Sequence, residues 1–173
     1  MLSTRMEAQE GFSLIELLIV VAIILIIAAI AIPNLLRARM SGNEASTVGT
    51  LKTLNTALLT YSSTYPKCGL PVTLNNLKNP ATAGGAPSET EAGLLGPGMD
   101  QDQFSRGGYK FAYSLDVGDG DCTAGSAPGS DYFIDARPIN FRRTGIRSFL
   151  TDSSGLIRAT NLDQSAQLTD NPI

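Results

Sequence analysis

Hydrophobic positions are distributed unevenly along the chain, and the longest apolar run lies near its start. From Leu17 to Pro33 every residue is apolar, and apolar residues dominate from Phe12 to Leu36, with one carboxylate, Glu16, near the beginning. A helix that crosses a bilayer needs about 20 predominantly apolar residues. A carboxylate inside such a helix costs roughly 2.5–3.5 kcal/mol on insertion scales. Glu16 therefore predicts a partner inside the membrane, and so assembly there.

The helical pattern continues beyond this run but changes character. Apolar residues recur at spacings of three and four, at Val48, Leu51, Leu54, Leu58 and Tyr61, which predicts an amphipathic helix. Pro33 predicts a kink, and Tyr65-Pro66 predicts the end of the helix. We expect one helix in two halves, apolar over residues 12–36 and amphipathic over residues 37–64.

The next part of the chain predicts an irregular connection. Residues 65–108 are rich in Pro, Gly, Asn and Thr. Within them, Ser88 and Glu91 have the spacing of a capping box, which predicts a turn or two of helix over residues 89–95. Long loops of this kind are usually functional or mobile.

The last part of the chain predicts antiparallel strands. Polar and apolar residues alternate over residues 109–116, residues 132–136 form a second apolar-rich run, and Asp152-Ser153-Ser154-Gly155 predicts a hairpin between two more. A sheet of three or four strands over residues 109–160 would cover the amphipathic half-helix, which gives an α+β fold. The polar tail, residues 161–173, is expected to be poorly ordered.

Composition narrows the possible chemistry. The chain has 173 residues, a net charge of −3 and no histidine. Without histidine, Ser-His and Cys-His catalysis and most zinc chemistry are impossible. The mild charge does not indicate a nucleic acid or an acidic substrate. We expect one small globular domain after the apolar run, no enzymatic activity, no cofactor and no metal.

The residues before the apolar run carry a specific motif. Gly11-Phe12-Ser13-Leu14-Ile15-Glu16 resembles the processing site of type IV prepilins and type II secretion pseudopilins, and the resemblance covers roughly residues 11–60. In that family a membrane aspartic peptidase cuts after the glycine and methylates the new N-terminal amine. The resemblance implies a cleaved leader over residues 1–11, cleavage between Gly11 and Phe12, N-methylation of Phe12, and a role in assembly for Glu16.

The resemblance also implies a function. The chain would be a structural subunit of a type IV pilus-like filament, single-pass in the inner membrane before assembly, then part of a periplasmic or cell-surface filament. Its partners would be further copies of itself, the prepilin peptidase, the inner-membrane assembly platform and the lipid bilayer. The alternatives are a major pseudopilin of a type II secretion system and, from another class, a membrane-tethered periplasmic binding domain or enzyme.

Two other interpretations of the apolar run, a signal peptide and a permanent anchor, fit the sequence less well. Ala29-Ile30-Ala31 would suit a signal peptidase, but the apolar core is long for a signal peptide and the segment before it is acidic. A permanent single-span anchor does not account for Glu16.

The orientation of the span in the membrane follows less directly from charge. The leader has only Arg5 as a basic side chain, whereas Arg37 and Arg39 follow the span. A count of flanking basic residues would therefore place the N-terminus outside. We follow the cleavage motif, which places it in the cytoplasm.

The two cysteines, Cys68 and Cys122, would then lie outside the cytoplasm, where pairing is expected. A bridge between them would stabilise the domain by roughly 4 kcal/mol in the chain-entropy model. A redox-active pair and free thiols are the alternatives.

Two clusters of charged residues each suit more than one role. Asp116, Asp119 and Asp121 crowd into one loop, which suits either calcium or an ordinary turn between strands. Four arginines, Arg137, Arg142, Arg143 and Arg147, suit contact with DNA, ion pairs with neighbouring subunits, or a solvated face. The turn and the non-DNA alternatives are preferred.

Overall fold

A computed structural model of the chain describes residues 12–81, 85–117, 122, 128–161 and 164–173. The elements in these residues are α1 (Leu14–Thr64), a short 3₁₀-helix (Leu74–Leu77), β1 (Gln103–Arg106), β2 (Tyr109–Val117), β3 (Asp131–Pro138), β4 (Ser148–Asp152) and β5 (Ile157–Thr160). The strands form one antiparallel sheet in the order β1-β2-β3-β4-β5. The predicted α+β class is confirmed. The sheet, however, has five described strands rather than three or four.

The additional strand is β1, which lies inside the segment predicted to be irregular. It is only four residues long, and its sequence Gln-Phe-Ser-Arg carries little alternation. Gly107 and Gly108, both with positive φ (58° and 81°), form the tight turn to β2. Such turns favour glycine because a side chain at positive φ is strained. Pairing then stacks the rings of Phe104 and Phe111 at 4.7 Å.

The chain divides into two compact units, residues 1–38 and 39–173. In the second unit, one face of the sheet packs against the C-terminal half of α1. Leu51, Leu54, Leu58 and Tyr61 are fully buried there. The sheet contributes the alternating residues Tyr109, Phe111, Tyr113, Tyr132, Ile134, Ala136 and Phe149. Burying a large apolar side chain is worth about 1.5–3 kcal/mol, so this layer is the core of the domain.

Buried polar contacts fix how α1 lies on the sheet. Asn55 Nδ2 donates to Thr151 Oγ1 at 2.8 Å, and Asn55 Oδ1 accepts from the Tyr132 hydroxyl at 3.0 Å. Because each group would be costly to bury without a partner, they select one register of the helix on β3 and β4.

The predicted turn or two of helix over residues 89–95 is wrong. Ser88 and Glu91 exchange backbone hydrogen bonds across a tight turn (3.1 and 3.2 Å) and do not start a helix. Gly93, at φ 70°, also breaks a helical path, and the segment instead donates to carbonyls in and beside the 3₁₀-helix.

The C-terminal tail was expected to be poorly ordered, yet its last residues pair with the sheet. Ala159 N donates to Asn171 O at 3.1 Å, and Ile173 N donates to Ile157 O at 2.9 Å. Ala166 is 3% exposed. The tail therefore covers the otherwise open edge of β5, which satisfies backbone groups that an edge strand leaves unpaired.

Candidate assembly segment

The N-terminal half of α1 begins with a local capping interaction. Ser13 stands just before the helix, and its backbone N–H donates to Glu16 Oε2 at 3.0 Å. This is the reciprocal arm of a capping box, in which an acidic residue in the first turn accepts from the residue that precedes the helix. The Glu16 carboxylate therefore lies in the first turn of α1, at the positive end of the helix dipole.

The rest of this half presents apolar side chains on all sides. Every described large apolar residue from Phe12 to Leu36 is at least 46% exposed, and Phe12 itself is 92% exposed. The helix is long and apolar enough to cross a membrane. An exposed apolar surface much larger than a few hundred Å² marks a site of contact with protein or membrane. The single charge on this surface is the Glu16 carboxylate.

Pro33 lies inside α1, and the helix continues through it without a break. Proline has no N–H to donate to the carbonyl four residues earlier, here that of Ala29. One backbone acceptor therefore lacks its helical partner. The predicted kink at Pro33 stays a prediction.

Cys68 and Cys122 form a disulfide, with their Cα atoms 4.4 Å apart and a sequence separation of 54. Cys68 is buried. The bond joins the segment that follows α1 to the connection between β2 and β3. The Tyr61 hydroxyl lies 3.9 Å from Cys122 Sγ, so the cystine packs against the end of the amphipathic half-helix.

Several predicted site residues lie outside the part of the chain that the structure describes. They are the leader with Gly11, and Asp119 and Asp121 of the acidic loop. Asp116 ends up exposed near the end of β2. Among the described residues, no three potential metal ligands come together.

The four clustered arginines separate into two kinds. Arg137 pairs with Asp135 and Arg147 pairs with Glu44, each at 2.8 Å. Arg142 and Arg143 are exposed and have no carboxylate partner within the described residues. Sequence reasoning missed Glu44, which also accepts from the backbone N–H groups of Ile146 and Arg147.

Comparison with known proteins finds matches to part of the chain. The family described as the prokaryotic N-terminal methylation motif matches residues 6–32. The chain is 62% identical over 39 residues to the type IV wide pilus major component PilA4 of Thermus thermophilus, which covers 22% of this chain and 30% of that protein.

A second relative, the type IV major pilin protein PilA of Myxococcus xanthus, is 49% identical over 55 residues, which covers 32% of this chain and 25% of that protein. The chain therefore matches less than a third of the length of either relative. No solved structure matches it.

Proposed function

Since this chain carries the N-terminal methylation motif of the type IV pilin family, we propose that it is a structural, non-enzymatic subunit of a type IV pilus-like filament. The observation that carries the proposal is the division of α1. Its first half exposes apolar side chains all round, directly after a processing motif, whereas its second half is the buried helix of a folded domain. A filament core made of many such first halves would cover the exposed surface.

Before assembly, the exposed half spans the inner membrane once, with the domain on the periplasmic side. The length and composition of the apolar run support this stage, and so does the disulfide, since such bonds persist in oxidising compartments. Prepilin peptidase cuts between Gly11 and Phe12 and methylates the Phe12 amine. Cleavage leaves the new amine on Phe12, two residues before α1 begins at Leu14, and Glu16 lies in the first turn of that helix.

During assembly, protein contacts replace lipid contacts. Glu16 uses Oε2 to accept from its own Ser13 N–H, and the exposed carboxylate retains capacity to accept the positive Phe12 amine of a neighbouring subunit. A charge left unpaired in an apolar core is expensive, and a paired one can define register. Repetition of one non-closing contact between copies gives an open helix, and the assembly platform in the inner membrane would add the copies one by one.

The pseudopilin of a type II secretion system is the alternative in the same class. The N-terminal helix suits both filaments. Both relatives are named as type IV pilus proteins, a major pilus component and a major pilin, which favours the pilus. Electron microscopy of cells that express the native protein, together with a secretion assay on cells that lack it, separates the two. Long fibres at the surface indicate a pilus. Absence of such fibres, with protein secretion impaired when the protein is removed, indicates a pseudopilus.

Intact-mass spectrometry of the protein isolated from its own cells tests the proposal. We expect a chain that begins at Phe12, carries one added methyl group and lacks the two hydrogens removed by the disulfide. Gly11→Val is the matched variant, because a side chain at the scissile bond obstructs close approach of the peptidase. It should leave a full-length, unmethylated membrane protein. A native chain that retains its leader, or normal processing of Gly11→Val, contradicts the proposal.

A further inference from the structure

Two loops of the domain meet at one point on α1. Asn43 Nδ2 donates to Thr144 O, in the β3–β4 loop, at 2.8 Å. A Cβ on Gly108, in the β1–β2 turn, would lie 2.9 Å from Thr144 Cβ and 3.0 Å from Asn43 Nδ2. The turn, the loop and the helix are therefore in direct contact around Asn43.

Basic residues concentrate in these two segments. Residues 106–110 and 137–147 contain six basic residues and no acidic residue: Arg106, Lys110, Arg137, Arg142, Arg143 and Arg147. We call these two segments the basic end of the domain. The opposite ends of β2, β3 and β4 carry Asp116, Asp131 and Asp152 instead. Positive side chains are thus concentrated at one end of these strands and negative side chains at the other, although the net charge of the whole chain is small.

Apolar side chains are exposed among these charges. Ile139 and Ile146, which flank the β3–β4 loop, are 44% and 41% exposed. Between them the chain turns at Arg142, a non-glycine residue at φ 62°, whose guanidinium lies 5.6 Å from the Phe141 ring centre. Exposed cations interspersed with exposed apolar groups are typical of surfaces that bind the interface of an anionic bilayer.

The chain itself limits how far the basic end can move from the apolar run. Asn43 follows Leu36 by seven residues, and a chain extends at most about 3.6 Å per residue. In any arrangement of the two units, Asn43 therefore stays within roughly 25 Å of the last residue of the apolar run. Whichever side of the membrane the domain occupies, its basic end is held close to the lipid headgroups.

We propose that the basic end is a docking surface for anionic phospholipid headgroups, occupied while the subunit is anchored in the bilayer. Arg142 and Arg143 supply the attraction, because Arg137 and Arg147 already have carboxylate partners. Ile139 and Ile146 enter the interfacial layer. The inference rests on the proposed function only in that the apolar run inserts into a membrane. Its consequence is an oriented domain that must release these lipids when the subunit is extracted.

The chain contains no tryptophan, so Ile146→Trp provides a single fluorescent probe in the loop. The full chain would be reconstituted into vesicles of phosphatidylcholine alone, or of phosphatidylcholine mixed with phosphatidylglycerol. We expect emission at shorter wavelength, and quenching by lipids with a nitroxide near the headgroup, in the anionic vesicles only. High salt should reverse both effects, because it screens exposed charges. Leu156→Trp, in the exposed β4–β5 hairpin, is the matched probe that should not respond.

Charge variants in the Ile146→Trp background test which residues act. Arg142→Asn with Arg143→Gln should abolish the shift; asparagine is chosen because it tolerates positive φ. Arg142→Lys with Arg143→Lys should retain most of the shift. Lys52→Gln with Lys67→Gln removes two exposed charges elsewhere and should leave the shift unchanged.

Three results would overturn the lipid assignment. One is equal emission of Ile146→Trp in neutral and anionic vesicles. Another is a loss of the emission shift in Lys52→Gln with Lys67→Gln that equals the loss in Arg142→Asn with Arg143→Gln. The third is a shift in neutral vesicles that grows with protein density, which would assign the surface to a second copy of the chain. Flotation of every variant with the vesicles is measured separately. A chain that fails to float contradicts the membrane stage of the proposed function instead.

Discussion

The two halves of α1 are one continuous helix with opposite surroundings. In the first half the large apolar side chains are all exposed, and in the second half Leu51, Leu54 and Leu58 have no exposed surface. The difference lies in what the sequence places on the other faces. The second half alternates its apolar stripe with polar residues and is covered by the sheet of its own chain. The first half has no polar face, so its cover must come from lipid or from other copies.

The sharpest test of this contrast is the single charge in the first half. Glu16→Leu should insert and be cleaved normally, because a cost of roughly 2.5–3.5 kcal/mol is removed from the span and the scissile bond is unchanged. Filaments should nevertheless be lost, because the neighbouring Phe12 amine has no partner. Electron microscopy of cells with the variant as sole subunit measures the outcome.

A second variant separates assembly from helix capping. Glu16→Gln keeps the acceptor that bonds the Ser13 N–H but carries no charge. It should fail to assemble as Glu16→Leu does. Normal filaments from either variant would rule out charge pairing. If Glu16→Gln forms filaments and Glu16→Leu does not, the role of Glu16 is helix capping.

In the second half, the largest expected effect concerns the disulfide. Cys68→Ser with Cys122→Ser should lower the free energy of unfolding of the domain by about 4 kcal/mol, because the bond closes a 54-residue separation and restricts the unfolded chain. Membrane insertion by the first half should be unchanged. Denaturant titration of the detergent-solubilised protein, with the reduced wild type as control, measures the first effect and flotation the second. Equal stability of variant and wild type would be inconsistent with a structural bond.

A matched pair of leucines compares the halves directly. Leu54 is fully buried and Leu25 is 63% exposed. Leu54→Ala should lower the free energy of unfolding of the domain by about 2–5 kcal/mol, since it removes buried surface and leaves a cavity. Leu25→Ala should leave it unchanged. Comparable losses from both substitutions would show that the first half is also part of the domain core.

How much of this arrangement could be predicted depends on the range of the interactions. The apolar run and the spacing of Leu51, Leu54 and Leu58 are local patterns, and they predicted both halves of α1. The alternation after Tyr109 predicted β2 in the same way. Glu44 could not be recognised, because its partners at Ile146 and Arg147 are about a hundred residues away. The edge pairing of the tail was missed for a different reason: Asn171 and Ile173 bond to residues of β5 close by in sequence, but the polar tail carries no strand pattern that would predict the pairing.

The candidate site shows the same limit. The motif around Gly11 is local and was recognised from sequence, and the Ser13–Glu16 capping arm could have been found, since Ser-x-x-Glu directly before an apolar run is a known helix start. The convergence of residues 106–110 and 137–147 at Asn43 depends on the sheet topology. Thirty residues or so separate the two segments in sequence, and only pairing of β2 with β3 brings them together.

The smallest expected effect is a difference in pH dependence between the folded domain and the apolar half of α1. The second unit buries Tyr109, Tyr113 and Tyr132, and burial raises the pKa of each phenol well above its usual value near 10. The Tyr113 hydroxyl, for example, donates to Pro71 O at 2.6 Å. The first half contains no tyrosine. Alkaline pH should therefore destabilise the domain through these groups and leave the apolar half unaffected by them.

The sign follows from proton binding. Below about pH 10 the phenols are protonated in both the folded and the unfolded chain, so they give no pH dependence. Above that pH the unfolded chain loses these protons while the folded chain keeps them. The free energy of unfolding then falls as pH rises, by up to about 1.4 kcal/mol per pH unit for each tyrosine. Urea titrations from pH 8 to pH 11 measure the slope, and Tyr113→Phe should reduce it by one tyrosine's share. The same slope in Tyr113→Phe as in the wild type would show that this buried phenol does not retain its proton, and flotation with vesicles over the same range should stay constant.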